Sequence, residues 1–537
     1  MATNQAKHAD SAIKKRAVAG SFLFRFPDKN NAKKVEVALF RRSSKVRTYQ
    51  HRLAPISGSV EEDDANPIAT ALREIHEETT LTLPKSIELM RMGKPYSFVD
   101  SDIGREWSIN PFAFRLKSTA EGGAGEEGIT IDWEHEGWEW YDPLHVKDRD
   151  EFGGVPKLVN SLRRVWPEYD LGAEAGSALT QGLLELRHDH ESGARQLAAK
   201  AVAVLREVVY KMGLDAVARD EAAWWGNVRM TGWHLWRNGR ESMGAAIVSA
   251  LVDVLSRVET CIKEERSPDD KLRTALEVVD EHLAQRDSTV GRICESFINY
   301  LSCNVLLDGQ AAPKKTLKVL TLSHSSTIAS CLLAAASDLD VSLDLRILES
   351  RPLCEGVTLA SRIIAETVKN KNVKVNVTLC SDASAAMAAD GIDMLLLGAD
   401  RISAAADVSN KTGSLPAVLS TKYMSPNAKV VVLSEVDKVA GPGATGEHVV
   451  EDNDSGELVV GWKDAVKGGD AIANFLEEDG FNGENKQAVR VRNVYFEWVP
   501  ARLVSAYVTD QGTWAVDEIK RRSDWVGKES ERLFGNL

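Results

Sequence analysis

Glu74, Glu77 and Glu78 stand at three- and four-residue spacing in the stretch from Gly58 to Leu81. On a helix that spacing gathers them on one face, where like charges repel. A divalent cation relieves the repulsion, and hard carboxylate oxygens suit Mg2+ or Mn2+. Arg73 can hold one of the carboxylates through a bidentate hydrogen bond. The chemistry implied is metal-assisted attack of water on a phosphate anhydride, which also needs a base. Glu74 is the first choice for that base and Glu136 the second, since glutamates such as Glu121, Glu126 and Glu127 usually serve solubility. Most acidic runs are solvated helix faces. Here the turn glycine Gly58, the Arg73-Glu74 pair and the Glu77-Glu78 doublet in register argue for a site.

A second group of polar residues recurs in the last 220 or so positions, each time after a short apolar run. Ser323 to Thr327, Glu349 to Pro352, Ser381-Asp382, Gly398 to Ile402 and Ser409 to Gly413 are the five. Hydroxyls at helix N-termini accompany free backbone N–H groups that bind phosphate, so Ser325, Ser326, Asn410 and Lys411 are candidate ligand contacts, with Arg351 and Arg401 adding charge. Taken singly, a serine in such a place is more often only a helix cap. The five together carry the reading.

The elements that must position these groups follow from periodicity. Ala17 to Phe26, Val35 to Arg42, Tyr49 to Pro55, Arg91 to Phe98, Trp107 to Leu116 and Ile129 to Pro143 read as strands, with a turn at Pro27 to Ala32. The second half of the stretch from Gly58 to Leu81 reads as an amphipathic helix with Ile68, Leu72 and Ile75 on its apolar stripe, and a second helix is expected at Pro156 to Trp166. From about Leu179 to Tyr300 the pattern is helical, with Ala201, Val202, Leu205, Val208 and Val209 at helical spacing. Beyond Lys318, Val319 to Ser323, Leu343 to Leu348, Val373 to Leu379, Met394 to Gly398 and Val430 to Ser434 alternate with helices. That alternation predicts a parallel, doubly wound sheet with ligands at the carboxyl ends of its strands.

Arg73 to Leu81 reads R-E-I-H-E-E-T-T-L, and with Gly58 it resembles the box of the Nudix hydrolases, R-E-U-x-E-E-x-G-U with U aliphatic. Two positions depart from the family pattern: residues 59–72 make a spacer one residue longer, and Thr80 stands where the family has a glycine. The resemblance implies an α/β/α sandwich with a mixed sheet, Mg2+ or Mn2+ held by Glu74, Glu77 and Glu78, and hydrolysis of a nucleoside diphosphate derivative.

A second resemblance covers roughly the last two thirds of the chain. Leu322-Ser-His-Ser-Ser326, Glu349 to Gly356, Gly398 to Ile402, Asn410 to Gly413, Asn493 to Pro500 and Arg240 to Met243 resemble one family. It holds the alpha, beta and delta subunits of initiation factor 2B with the methylthioribose-1-phosphate and ribose-1,5-bisphosphate isomerases. The isomerases use a cysteine after the first strand and an aspartate in the Gly-Ala-Asp motif. Asp400 matches the aspartate, but Ser325 stands at the cysteine position, and a hydroxyl is far less acidic than a thiol. The segment is therefore closer to the non-catalytic subunits, implying a sugar-phosphate or nucleotide-binding domain. The resemblance also implies a homodimer through this domain, or assembly with initiation factor subunits.

The expected division is a mobile start over 1–15, a Nudix domain over 16–168, a linker over 169–177, a helical subdomain over 178–305 and a Rossmann-like domain over 306–537. Three readings follow: a hydrolase fused to a sugar-phosphate-binding domain, a translation-factor-like protein whose Nudix domain only binds, or a sugar-phosphate isomerase using Asp400. A net charge of -13 over 537 residues argues against a dedicated nucleic-acid binder and leaves room for a local basic patch. Six cysteines, all between Cys261 and Cys380 and without a C-x-x-C pair, fit reduced thiols of a cytoplasmic protein. No leader or membrane span is legible.

Overall fold

Along the first strand, Phe22 and Phe24 enter one apolar cluster with Val37 and Leu39, while Ala19 and Leu23 enter another with Ala38 and Phe40. A sheet apolar on both faces must be covered on both. The computed structural model shows how, describing residues 14–27, 34–189, 192–240, 243–264, 266–306, 315–370, 373–443, 453–463, 466–477 and 491–537. The expected mobile start up to residue 13, residues 28–32 of the expected turn, and Glu241 and Ser242 lie outside these.

The chain divides into two compact units, one made of residues 1–185, 207–239 and 537, the other of 186–206 and 240–536. The first begins with β1 (Lys14–Arg25), β2 (Glu36–Arg42), β3 (Leu53–Ala54), β4 (Ile56–Ser59) and α1 (Pro67–Thr79). It continues with β5 (Ile87–Met92), β6 (Tyr96–Asp100), β7 (Arg105–Leu116), β8 (His135–Tyr141) and α2 (Leu158–Val165). The strands form one mixed sheet in the order β3-β2-β1-β7-β5, with β4 beside β1, β6 beside β7 and β8 beside β2. β1 and β7 run parallel and the other pairs antiparallel. Ala71 and Ile75 of α1 pack on one face, and Leu158, Val159, Leu162 and Val165 of α2 on the other. This is the expected sandwich.

Helices follow: α3 (Glu168–His188), α4 (Ala194–Arg219), α5 (Glu221–Asn238), α6 (Gly244–Ile262), α7 (Pro268–Asp287) and α8 (Thr289–Asn304). Here two expectations are corrected. The stretch 169–177 is not a linker but lies within α3, broken only at Gly172, whose φ is 77°. Its alanines, leucine and glutamate favour helix, and two glycines do not outweigh them. The helical region over 178–305 is no single subdomain either, because residues 207–239 belong to the first unit.

The second unit carries β9 (Thr316–Leu322), α9 (Ser326–Asp338), β10 (Ser342–Leu348), α10 (Glu355–Lys369), β11 (Val375–Cys380), α11 (Ala385–Ala388) and β12 (Met394–Leu397). After them come β13 (Arg401–Ile402), β14 (Val408–Lys411), α12 (Ser414–Met424), β15 (Lys429–Ser434), α13 (Gly456–Lys463) and α14 (Gly469–Glu477). It closes with β16 (Phe496–Val499), β17 (Ala506–Thr509), β18 (Gly512–Trp514) and α15 (Val516–Phe534). The main sheet runs β11-β10-β9-β12-β15-β17-β18, parallel except for β18, and β13-β14-β16 form a small second sheet. Leu317 and Val319 of β9 pack with α8 and α9, whereas Leu320 and Leu322 pack toward α12. The strand order reverses between β9 and β12, so the crevice for a ligand lies there. Among the described residues no helix is long and apolar enough to cross a membrane.

Candidate functional site

The acidic helix is set by its ends. The Asn66 side chain accepts the Ala69 N–H at 3.0 Å, Pro67 occupies the first turn, and Thr80 closes the helix in the left-handed conformation (φ 62°) by donating its N–H to His76 O. Thr80 thus takes the conformation in which the family has glycine. On β4, Gly58 faces Glu74 so closely that a Cβ there would fall 1.8 Å from the carboxyl carbon, and only glycine admits the side chain.

Arg73 organises the site. It binds Asp64 through Nε and Nη2 at 3.3 and 3.1 Å, Glu74 through Nη1 at 2.8 Å, Glu77 through Nη1 at 3.3 Å and Ser59 O through Nη2 at 3.2 Å. The expected bidentate bond exists, but its partner is Asp64, which sequence reasoning did not select among four consecutive acidic residues at 61–64. The available signal was its place in the spacer between Gly58 and Arg73. Hydrogen bonds from Arg73 hold the Asp64 carboxyl down to about 2. Burial, then the charge of Glu78, pushes Glu74 up to about 7 against the pull of Arg73.

Glu74 and Glu77 line a cleft of about 520 Å³, together with Ser57, Gly58 and Ser59 of β4, Glu61 and Glu134. Tyr49, Tyr96, Phe98, Trp107 and Trp133 supply aromatic walls. Two expected members are elsewhere. Glu78 is buried, its Oε2 2.5 Å from His135 Nε2, so it fastens α1 to the start of β8 and does not line the cleft. Burial raises the Glu78 carboxyl and lowers the His135 imidazole. Glu136 lies outside the cleft with its Oε1 2.9 Å from His51 Nδ1, while Glu134, two residues earlier, lines it.

Among the described residues no group of three or more His, Cys, Asp or Glu side chains is arranged as a metal cage. Mg2+ is commonly held by one or two carboxylates with substrate phosphate and water, so Glu74 and Glu77 suffice in donor chemistry. A cation there would relieve the repulsion from Glu78 that adds to burial in raising Glu74.

The second cleft, about 430 Å³, opens where β9 and β12 part. Ser325, Ser326, Asp400, Asn410 and Lys411 line it as expected, and Arg351 and Arg401 do not. Ser325 caps α9, its Oγ accepting the Ile328 N–H at 3.2 Å. Arg351 is exposed and pairs with Glu349 at 3.3 Å, and Arg401 lies in β13 paired with Ser409. Lys411 Nζ is 3.2 Å from Glu355 Oε1 and 4.3 Å from the centre of the Tyr495 ring. Asn410 Nδ2 donates to Ser414 Oγ at 2.9 Å. Burial pushes the Asp400 carboxyl up, while Lys438 and Lys411 pull it down. Arg195, Arg240, Glu355, Arg362 and Lys438 also line this cleft, and sequence reasoning singled out none of them as ligand contacts. Arg195 lies in α4 and Glu355 and Arg362 in α10, and although Arg240 and Glu355 fall within the segments Arg240 to Met243 and Glu349 to Gly356, neither was given a ligand role there.

Fold and sites define a two-unit α/β protein: a Nudix sandwich with its acidic helix at a cleft, joined to a doubly wound sheet with a polar crevice at its switch point. Residues 15–159 match the NUDIX domain and residues 192–516 the Initiation factor 2 subunit family. The chain belongs to that Initiation factor 2 subunit family and carries a NUDIX domain ahead of it. It is 29% identical over 168 residues to a methylthioribose-1-phosphate isomerase of Albidiferax ferrireducens, covering 30% of this chain and 40% of the relative. A protein of the same name from Pelotomaculum thermopropionicum is 30% identical over 166 residues, 30% of this chain and 39% of its own. The chain thus spans about two fifths of the length of these relatives. Among solved structures, the beta subunit of eIF2B from Chaetomium thermophilum aligns with 68% of this chain and 96% of its own at 14% identity and a TM-score of 0.45. A 5-methylthioribose 1-phosphate isomerase from Pyrococcus horikoshii aligns with 67% of this chain and 88% of its own at 16% identity and a TM-score of 0.43.

Proposed function

We propose that the chain hydrolyses the diphosphate bond of a nucleoside diphosphate derivative with Mg2+ or Mn2+, and that its second unit binds a sugar phosphate or nucleotide. The observation that supports the hydrolase reading is Arg73 drawing Asp64, Glu74 and Glu77 together at the mouth of an aromatic-walled cleft. Glu77 and Glu74 would hold the cation. When bound, it supplies charge neutralisation to the phosphate oxygens and acidity to water. Burial, which raises the Glu74 carboxyl, strengthens it as the base that takes the proton of water. Arg73 fixes the direction of that carboxylate, and the aromatic walls hold the base so that the diphosphate is positioned. The test is release of nucleoside monophosphate from ADP-ribose, NADH, dinucleoside polyphosphates and oxidised nucleotides by the whole chain with Mg2+ or Mn2+. Glu77→Gln should lower turnover by roughly two to four powers of ten; no hydrolysis of any of them sinks the reading and leaves a binding-only Nudix domain.

A second reading, sugar-phosphate isomerisation, is favoured by the relatives' names and by Asp400. A carboxyl that burial pushes toward its protonated form, against the pull of Lys438 and Lys411, can donate to a sugar oxygen while the lysines bind phosphate. Ser325 accepts the Ile328 N–H as a cap, and its hydroxyl is a far weaker acid than a thiol, so this reading rests on Asp400. Isomerised product from a ribose phosphate, lost in Asp400→Asn, supports it; neither heat nor product eliminates it. The face for a homodimer is the edge of the sheet at β11. Val357, Ile364 and Val368 of α10, Leu379 of β11 and Met387 of α11 are exposed there, Val368 by 72% and Met387 by 78%. Such apolar exposure beside an edge strand fits a second copy. Initiation factor subunits are the other partner class, and their co-purification tests it.

A further inference from the structure

Two of the six cysteines meet inside the second unit. Cys294 lies on the buried stripe of α8 with Ile293, Phe297 and Leu301, and Cys331 on that of α9 with Ile328, Leu332 and Ala335. All of them belong to one apolar cluster. A buried thiol ordinarily packs in such a place as a small hydrophobe, against hydrocarbon. These two turn toward each other instead, with Sγ 3.2 Å from Sγ although 37 residues separate them along the chain. Among the described residues no group of three or more metal-ligating side chains includes them, and two thiols alone do not close a zinc site.

The two sulfurs are not equivalent. Cys331 is sealed at 0% exposure, whereas Cys294 keeps 9%. The hydrogen bond between them, with burial adding to it, pushes the Cys331 thiol up, and the same bond holds the Cys294 thiol down against burial. The thiolate is the form that attacks, so Cys294 meets an oxidant first and Cys331 resolves the product. A disulfide needs its sulfurs about 2.05 Å apart, so the pair has to close by roughly 1 Å, a shift that packed helices make. We propose that Cys294 and Cys331 are a redox modification site, which hydrogen peroxide oxidises to a disulfide that staples α8 to α9. The Cys294 thiolate attacks a peroxide oxygen, forming an S–O bond as the O–O bond breaks and hydroxide leaves. The Cys331 sulfur then attacks the sulfenic sulfur. An S–S bond forms, the S–O bond breaks, and the Cys331 proton leaves with the departing oxygen as water. The two thiols lose two electrons, and the peroxide takes them to become two waters. The cap Ser325 and the first turn of α9, Ser326 to Ile328, line the second cleft one turn from Cys331, so the staple fixes the helix that bears one wall of that cleft.

The experiment treats the whole reduced chain with a few equivalents of hydrogen peroxide, without denaturant. Wild type is compared with Cys294→Ser, with Cys331→Ala and, as a control, with Cys303→Ser, which removes an exposed thiol. Wild type and Cys303→Ser should lose two thiols by titration and two hydrogens in intact mass, and peptide mapping should join Cys294 to Cys331. Their thermal midpoints should rise by roughly 5 °C or more, because a bridge closing a loop of this length removes unfolded-state entropy, and dithiothreitol should reverse the rise. Cys294→Ser should gain neither the bond nor the rise, and Cys331→Ala should stop at a sulfenic acid on Cys294 that a dimedone label captures. If Cys331→Ala fails to fold, the wild-type map decides alone. A chain that keeps its thiols, cross-links other cysteines or forms this bond only in denaturant overturns the proposal, as does a bond that leaves the melt unchanged.

Discussion

Replacing Glu74 by Gln separates the charge of this residue from its shape. Its carboxyl is raised from the usual 4.5 to about 7, first by burial and then by Glu78. A carboxyl raised on folding binds its proton more tightly in the folded chain. It therefore stabilises most below pH 4.5, and that contribution is lost as pH climbs from 4.5 through 7. At roughly 1.4 kcal/mol per tenfold change in proton affinity, the gap amounts to about 3 kcal/mol for a sealed group. Glu74 borders an open cleft, and solvent screening brings the figure down to roughly 1–2 kcal/mol. Gln cannot ionise, keeps an acceptor for Arg73 and fills the same space against Gly58. Denaturant melts of the whole chain in chelator should then show wild type losing about 1–2 kcal/mol between pH 5 and pH 8 relative to Glu74→Gln. Mg2+ should recover that loss in wild type at pH 8 and do little in the variant. Parallel pH curves for the two proteins would refute the account of Glu74, and an equal gain from Mg2+ in both would place the cation elsewhere.

Other outcomes follow from the same contacts. Glu78→Ala should cost about 1–3 kcal/mol by stripping His135 of its partner, while Glu77→Ala at the exposed end should stay within about 0.5 kcal/mol, measured by the same melts. Thr80→Gly should stabilise by about 0.5–1 kcal/mol, since the left-handed conformation burdens a β-branched residue; a loss would show that the Thr80 hydroxyl bond to Thr79 O outweighs it. Ile364→Asp with Val368→Asp should convert a dimer to a monomer in light scattering, and a wild type that is already monomeric rules out the pairing face.

The strands at 17–26, 35–42 and 107–116, the acidic helix and five of the six parallel strands of the second unit's main sheet were legible because each is a local pattern of period two or 3.6. The sites were legible in the same measure. Glu74, Glu77 and Arg73 share one helix, and Ser325, Asp400, Asn410 and Lys411 follow strand ends whose ligand-binding face is a property of the topology. The choice among carboxylates was not local. Whether Glu78 joins Glu77 in the cleft depends on His135, 57 residues away, which captures it in the core. Asp64 rather than its acidic neighbours meets Arg73 because β4 and α1 meet at a turn whose geometry no spacing reveals.

Sequence alone therefore determined the order of the two units, the acidic helix and the candidate chemistry, since these rest on residue type and near spacing. Tertiary structure decided which carboxylate faces the cleft, which is buried, and which thiols meet. Cys294 and Cys331 lie on two helices, 37 residues apart, and have no motif in common. Only the packing of α8 against α9 in one apolar cluster brings their sulfurs together.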